Sequence, residues 1–241
     1  MTHDPGSYVY CPPSQLVTDE TQCRELLSDI GAALWITGEG VPSATLLPTT
    51  WQGNHLLAHA SAHNEQFAPS DEPVPCRVVV QGADTYISPR WYPSVQAAEH
   101  GGNAKGRAEG RAVGTWNYRQ VQFAGWLHVH RDPERLRRDV MTQAQQLDAQ
   151  RIADGASDAD RGAWSTAEAP HDFLEAMLEG IVGLDLEITE VVGRFKLSQN
   201  RTEADRAGVV AGLRERGRVR DLDVAEATSA ATPLYSHRRV R

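Results

Sequence analysis

Residues 183–193, GLDLEITEVVG, set Leu184, Leu186 and Ile188 against Asp185, Glu187 and Thr189. A period of two places successive side chains on opposite faces, so this segment reads as an antiparallel strand with one face buried and one wet. It runs without a break into FKLSQNR (195–201), after which Thr202 and Asp205 signal the start of a helix. A chain that ends its last strand this way must close a sheet and place a polar, cationic segment at the joint.

Other strands precede it. AALWIT (32–37), SATLLPTTW (43–51) and HLLAHA (55–60) are short β-like runs divided by Gly- and Pro-bearing turns, the pattern of a meander. PCRVVVQG (75–82) has the continuous β-branched character of a strand covered on both faces, and TYISP (85–89) is expected to pair with it across Gly82-Ala83-Asp84. TWNYRQVQFAGWLHVH (115–130) is one long strand. The sequence predicts helices over 18–31, from Asp132 capping with Pro133 in the first turn, near 171–179, and after Thr202. In these helices Leu26, Leu27 and Ile30, then Leu136, Val140, Ala144 and Leu147, then Val209, Val210 and Leu213 are the expected inward faces.

Many strands with few crossover helices predict a mainly β, α+β fold: an antiparallel barrel with peripheral helices, which also removes exposed sheet edges. One domain is expected over 1–213, with a helical region at 132–180. Residues 96–114 contain five glycines and almost no large apolar side chain, and are expected to form a mobile insert or lid; 214–241 is expected to be a disordered tail.

Bulk properties narrow the function. Apolar residues at 40% and charged residues at 23% are the composition of a globular protein. With 24 Lys+Arg against 32 Asp+Glu, the net charge of −8 opposes phosphate-backbone attraction, and neither helix-turn-helix nor zinc-finger spacing is present, so direct nucleic-acid binding is not expected. Cys11, Cys23 and Cys76 are too few and too scattered for a disulfide framework, which suits a reducing cytoplasm. The first residues lack a signal-peptide pattern, and no apolar run approaches membrane-spanning length, so a cytoplasmic protein with no membrane contact is expected.

Four clusters mix aromatic and hydrogen-bonding residues at strand ends: AHASAHN (58–64), YISPRWYPS (86–94), TWNY (115–118) and FKLSQNR (195–201). Trp91, Tyr92, Trp116 and Tyr118 either fill barrel ends or recognise something flat and polar. His59 and His63, taken singly, read as strand-end histidines. Lys196, Ser198, Gln199, Asn200 and Arg201 form a candidate anion site, since two cations supply charge and Arg201 can make a bidentate fork. Walker, GxGxxG, HExxH and CxxC motifs are absent.

YISPRWYPS, TWNY and FKLSQNRTEADRAGVVAGL, in this order, resemble the PaiB family of FMN-binding negative transcriptional regulators from near residue 8 to near residue 213. The resemblance implies a split β-barrel of the flavin reductase and pyridoxamine-phosphate oxidase kind, forming a homodimer with cofactor between subunits. It also extends to the haem-dependent piperazate synthases, whose H-x4-N pattern corresponds to His59 and Asn64 and whose histidine binds haem iron. Departures from the family pattern cluster around the same motifs: Leu46 and Gln122 stand where histidines are common, Gly114 replaces a proline, and the 96–114 insert is extra.

Two functions follow from the resemblance. In the first, a haem-dependent tailoring enzyme, His59 is the axial ligand of haem b, Lys196 and Tyr118 give acid–base help, and an N-hydroxylated, amino-acid-like substrate undergoes N–N bond formation. In the second, an FMN-binding regulator or flavin-dependent redox protein, Lys196 and Arg201 hold the flavin phosphate with Trp116 or Trp91 near the ring. Asn64, Ser88, Trp91, Tyr92, Thr115, Trp116, Asn117, Ser198, Gln199 and Arg201 are the further residues expected at the cofactor site, Asn64 through the haem-type pattern. The first is the favoured expectation, because His59 is retained while its surroundings have changed.

Overall fold

A computed structural model describes residues 9–38, 40–95, 112–158, 162–165 and 168–233. Most of the expected 96–114 insert therefore lies outside the described residues, as does the end of the expected tail. Contacts divide the chain into two compact units. Among the described residues, one comprises those of Thr21–Val80 and Gln122–Val191; the other comprises those of Val9–Glu20 and Gln81–Val121 and those from Val192 onward.

The elements are β1 (Leu16–Val17), α1 (Glu20–Ile30), β2 (Ala32–Thr37), β3 (Ser43–Pro48), β4 (Thr50–Gln52), β5 (His55–Ser61), β6 (Val74–Ile87) and β7 (Thr115–His130). After these come α2 (Pro133–Ala153), α3 (His171–Glu179), β8 (Ile181–Lys196), α4 (Glu203–Arg216) and α5 (Val219–Ala230). Strands β6, β7 and β8 each contribute residues to both units.

In the first unit the strand order is β3-β2-β6-β7-β8-β5-β4, with β2 antiparallel to both β3 and β6, and β5 antiparallel to β4 and β8. Alternation puts Leu56, Ala58 and Ala60 of β5 and Leu184, Leu186 and Ile188 of β8 in the core, with Trp35, Phe67, Val78 and Phe123 also buried. The expected polar face of β8 has one exception. Asp185 is buried, because His55 Nδ1 lies 2.6 Å from Oδ1 and Arg135 pairs with Oδ2. The meander divides at Thr49, whose hydroxyl accepts Trp35 Nε1–H at 2.9 Å and donates to the Leu47 carbonyl.

Helix α2 starts as its sequence dictates: the Asp132 side chain accepts from Arg135 N at 3.0 Å, with Pro133 in the first turn. Leu136 is buried on its inward face, whereas Leu147 is 36% exposed. In α1, Leu26 and Leu27 are buried but Ile30 is 42% exposed, being the last residue before Gly31 turns away at φ +70°.

The second unit carries the remaining portions of β6, β7 and β8, with β1 antiparallel to β8 through Leu16↔Arg194 and Val17↔Gly193. Its core joins Ile87 and Tyr92 to Val209 and Leu213 of α4 and Val224 and Ala225 of α5. Helix α4 comes close to the 3-10 turn at Pro89–Trp91: a Cβ on Gly208 would meet the Trp91 carbonyl, and one on Gly212 the Trp91 indole. Glycine is required there for close approach rather than for a turn.

Two expectations are corrected here. β6 runs unbroken through Gly82-Ala83-Asp84, where a turn between two strands was expected; Gly82 is buried and Ala83 packs on the second unit's core, so burial and pairing override local turn preference. The segment after 214 is not a disordered tail over 219–230, which form α5. Its charged Asp221 is buried because Arg216 and Thr85 satisfy it.

Candidate functional site

The second unit brings seven of the sequence-predicted residues around one cavity of about 130 Å³: Thr115, Asn117, Lys196, Ser198, Gln199, Asn200 and Arg201. Thr115 and Asn117 reach it from the same face of β7, two residues apart, as strand alternation requires. The others follow directly from the end of β8.

Lys196 Nζ donates to Thr115 Oγ1 at 2.7 Å. Burial, followed by the nearby Arg194 guanidinium, pushes its ammonium below the usual lysine range. Partial desolvation leaves this cation with more to gain from an anion than a surface lysine has. Arg201 lies with its guanidinium 4.5 Å from the centre of the buried Tyr92 ring, and its backbone N–H donates to the Ser198 carbonyl at 3.0 Å, closing the turn.

The turn depends on Ser198, which at φ +61° is the only non-glycine with positive φ among the described residues. Its hydroxyl meets the fully buried Asn117, accepting from Nδ2 at 3.0 Å, with Oδ1 at 3.3 Å. Asn117 Nδ2 also lies 3.4 Å from Thr228 Oγ1 of α5. Gln199 braces the segment from inside: its Oε1 accepts Leu197 N–H at 2.8 Å and its Nε2 donates to the Phe195 carbonyl.

The remaining predicted residues of this unit do not line the cavity. Ser88 caps the Pro89–Trp91 turn by accepting Arg90 N–H, Trp91 packs against α4 and the Arg216 guanidinium, and Tyr92 is core. Trp116 projects from the opposite face of β7, donates to Asp84 at 2.6 Å and is 46% exposed beside Tyr86. Tyr118 has the Arg194 guanidinium 5.5 Å from its ring centre. Sequence reasoning missed Ser14 and Gln15, which join the lining because β1 pairs with β8; a two-residue strand leaves no periodic signal to read.

The first unit holds His59 and Asn64 separately. His59 lines an apolar cavity of about 220 Å³ together with Val140 and Met141 of α2, and Leu174, Met177 and Leu178 of α3. Burial keeps its imidazole below the usual histidine range, opposed by a hydrogen bond with the Gln143 side chain, so the ring is neutral at neutral pH. Asn64 belongs to a different arrangement: it caps the Glu65–Phe67 turn by accepting Gln66 N–H at 3.1 Å and donates to Thr45 Oγ1 at 3.2 Å. Among the described residues, no group of three or more His, Cys, Asp or Glu side chains is placed to hold a metal ion, and no helix is long and apolar enough to cross a membrane.

Residues 9–190 match the family model described as "Putative FMN-binding domain". The chain belongs to this PaiB-type family. It is 25% identical over 210 residues to the protease synthase and sporulation protein PAI 2 of Bacillus subtilis, spanning 85% of this chain and 89% of that protein. An uncharacterized protein of Aspergillus fumigatus is 28% identical over 146 residues, 58% of this chain and 52% of its own length. The chain thus spans about half the length of the fungal relatives it matches.

Among solved structures, the conserved hypothetical protein Rv2991 of Mycobacterium tuberculosis is similar with a TM-score of 0.50 at 12% identity, covering 78% of this chain and 91% of that one. The fold class of this PaiB-type chain is the split β-barrel expected from its sequence.

Proposed function

We propose that this chain is an FMN-binding, flavin-dependent protein of the PaiB type, with the polar cavity of its second unit taking the phosphate end of the cofactor. The observation that carries this reading is the partly desolvated Lys196 ammonium held on Thr115 in a cavity that Arg201 also lines. Two cations with the Thr115 hydroxyl, which accepts from Lys196 and keeps its own proton to donate, fit a phosphate dianion in charge and in donors. FMN, when bound, supplies reversible electron and hydride transfer.

This chain's residues then orient and hold. Lys196 and Arg201 neutralise the phosphate, while Ser198, Asn117 and Gln199 fix the shape of the segment that presents them. A cavity of about 130 Å³ accommodates a phosphate rather than a whole flavin, which supports a homodimer in which the ring lies against the second copy. The net charge of −8 favours a redox role, or regulation through a partner, over unaided DNA binding.

Titration of the purified protein with FMN and with riboflavin, followed by flavin fluorescence, tests the reading. FMN is expected to bind at least about tenfold more tightly than riboflavin, and Lys196→Met to erase that preference, consistent with loss of one charge-assisted hydrogen bond. Equal affinity for the two flavins, or no binding of either, refutes it. Light scattering of the loaded protein is expected to give a dimer.

A second reading, a haem-dependent enzyme acting on an N-hydroxylated, amino-acid-like substrate, draws support from one observation: a neutral imidazole, His59, in the wall of an apolar cavity. Imidazole in that state is a competent iron ligand. Haemin titration is expected to produce a Soret band that His59→Ala abolishes if this reading holds, and no band if it fails.

A further inference from the structure

Two helical stripes in the first unit leave a space between them. On α2, Arg137, Val140, Met141 and Ala144 fall at i, i+3, i+4 and i+7; on α3, Leu174, Met177 and Leu178 fall at i, i+3 and i+4. All seven line the cavity of about 220 Å³, together with His59 of β5 and Ile181 of β8. Those two strands pair through His59↔Gly183 and Ser61↔Ile181, so both side chains stand on one face of the sheet.

Spacing of this kind normally marks core. Here none of the apolar members is fully buried: Val140, Met141, Leu174 and Leu178 are half-buried, and Met177 is 53% exposed. The stripes supply core surface without enough protein to cover it. Water is a poor filling, since a buried water needs about 2–4 polar partners, and these walls are almost wholly apolar.

Two details select the occupant. Arg137, the one charged residue in the lining, is paired with Glu175 of α3, so its charge is already met. His59 hydrogen-bonds the buried Gln143 side chain, which lies outside the lining. An imidazole held in this way uses one ring nitrogen and keeps the other for a second partner. A hydroxyl group suits that nitrogen in either tautomer, because it both donates and accepts.

Size narrows the choice further. An apolar cavity of about 150 Å³ is enough to hold benzene, so about 220 Å³ takes one substituted ring. A haem macrocycle with two propionates exceeds both this volume and the charge that the walls can meet.

We infer that this cavity binds a small uncharged phenol: a single ring with a short alkyl substituent lying among Val140, Met141, Leu174 and Leu178, its hydroxyl on His59. The exposed Met177 forms the rim, where a flexible thioether adapts to the ligand as it enters. The polar cavity of the second unit shares no residue with this one, so the inference stands or falls apart from the flavin reading.

Calorimetric titration of the full chain at neutral pH with 4-ethylphenol, ethylbenzene and 4-ethylbenzoate tests this. The phenol is expected to bind about fivefold more tightly than ethylbenzene, the worth of one hydrogen bond. It is expected to bind at least about tenfold more tightly than the carboxylate, whose buried charge would go unpaired. His59→Leu is expected to level phenol and ethylbenzene. Ala144→Leu, which fills space on the α2 wall, is expected to weaken both; this variant keeps the test decisive if His59→Leu fails to fold. FMN affinity is expected to be the same in wild type and Ala144→Leu. No binding of the phenol at millimolar concentration, ethylbenzene or carboxylate binding as tight as the phenol in wild type, phenol affinity untouched by Ala144→Leu, or a haemin Soret band that His59→Ala abolishes each overturns the inference.

Discussion

Replacing Asp221 by alanine asks whether α5 is a working part of the second unit. The Asp221 carboxylate is fully buried and accepts Arg216 Nε at 2.7 Å on Oδ2, and Arg216 Nη2 at 2.6 Å and Thr85 Oγ1 at 2.7 Å on Oδ1. Removing one partner of a buried ion pair costs about 3–5 kcal/mol. The Arg216 side chain retains 24% exposure, so water recovers part of its loss and a cost of about 2–4 kcal/mol is expected. For a chain of this length that corresponds to a fall of roughly 5–15 °C in Tm, read by circular dichroism. Arg216→Met in the same background is expected to add little, because the coupling is already lost. Arg216 holds the Asp221 carboxyl below its ordinary value of 3.8, so this stabilisation is present above that pH and is lost as pH falls through the folded-state pKa. Helix α5 also carries Thr228, beside Asn117, so FMN affinity is expected to fall in Asp221→Ala and to hold in Asp223→Ala at an exposed position on the same helix. Indistinguishable Tm values for those two variants would refute the reasoning.

Burial holds both His59 and His130 below the usual histidine value of 6.5. The unfolded chain therefore takes up protons first as pH falls; the contribution is intact above 6.5 and is lost progressively below it, toward the folded pKa values. Urea midpoints are expected to drop between pH 7.5 and 5.5, and the double variant His59→Gln/His130→Gln to flatten that drop. The Cys76 thiol, pushed up to about 12 by burial, and the buried Cys23 are expected to resist a thiol reagent at pH 8 until the chain unfolds, whereas the less buried Cys11 reacts first. At Ser198, glycine relieves about 1 kcal/mol of left-handed strain while losing the bonds to Asn117, for a small net change, whereas alanine keeps the strain and loses the bonds, costing about 1–2 kcal/mol; chemical denaturation distinguishes the two.

Elements whose local chemistry and burial agree were legible from sequence. β7 begins and ends as its alternation indicates, and α2 begins at Asp132-Pro133 because the cap and the fixed proline φ favour the same start. What was not legible depended on distant partners. Gly82-Ala83-Asp84 carries turn residues, yet Thr85 must point inward to meet Asp221, more than a hundred residues later. In turn, RVRDLDVAEATSA reads as polar tail unless it is known that Asp221 will be neutralised by Arg216 and that only Val224 and Ala225 need face the core.

The same distinction divides the candidate site. Lys196 to Arg201 was legible as a cluster, but not the division of labour within it, because a side chain's type does not reveal which of its hydrogen bonds are already spent. Gln199 has both ends of its amide committed to Phe195 and Leu197, and Asn117 reaches Ser198 and Thr228, so these amides act as internal struts. Lys196, restrained by a single hydroxyl and partly desolvated, has ammonium protons left for a ligand. A left-handed Ser198 makes this division possible: the reversal it imposes lets Arg201 N–H close on the Ser198 carbonyl, while the serine hydroxyl turns inward to Asn117. The cationic side chains are thereby presented by a turn whose own polar groups are satisfied, which is what a pre-organised anion site requires.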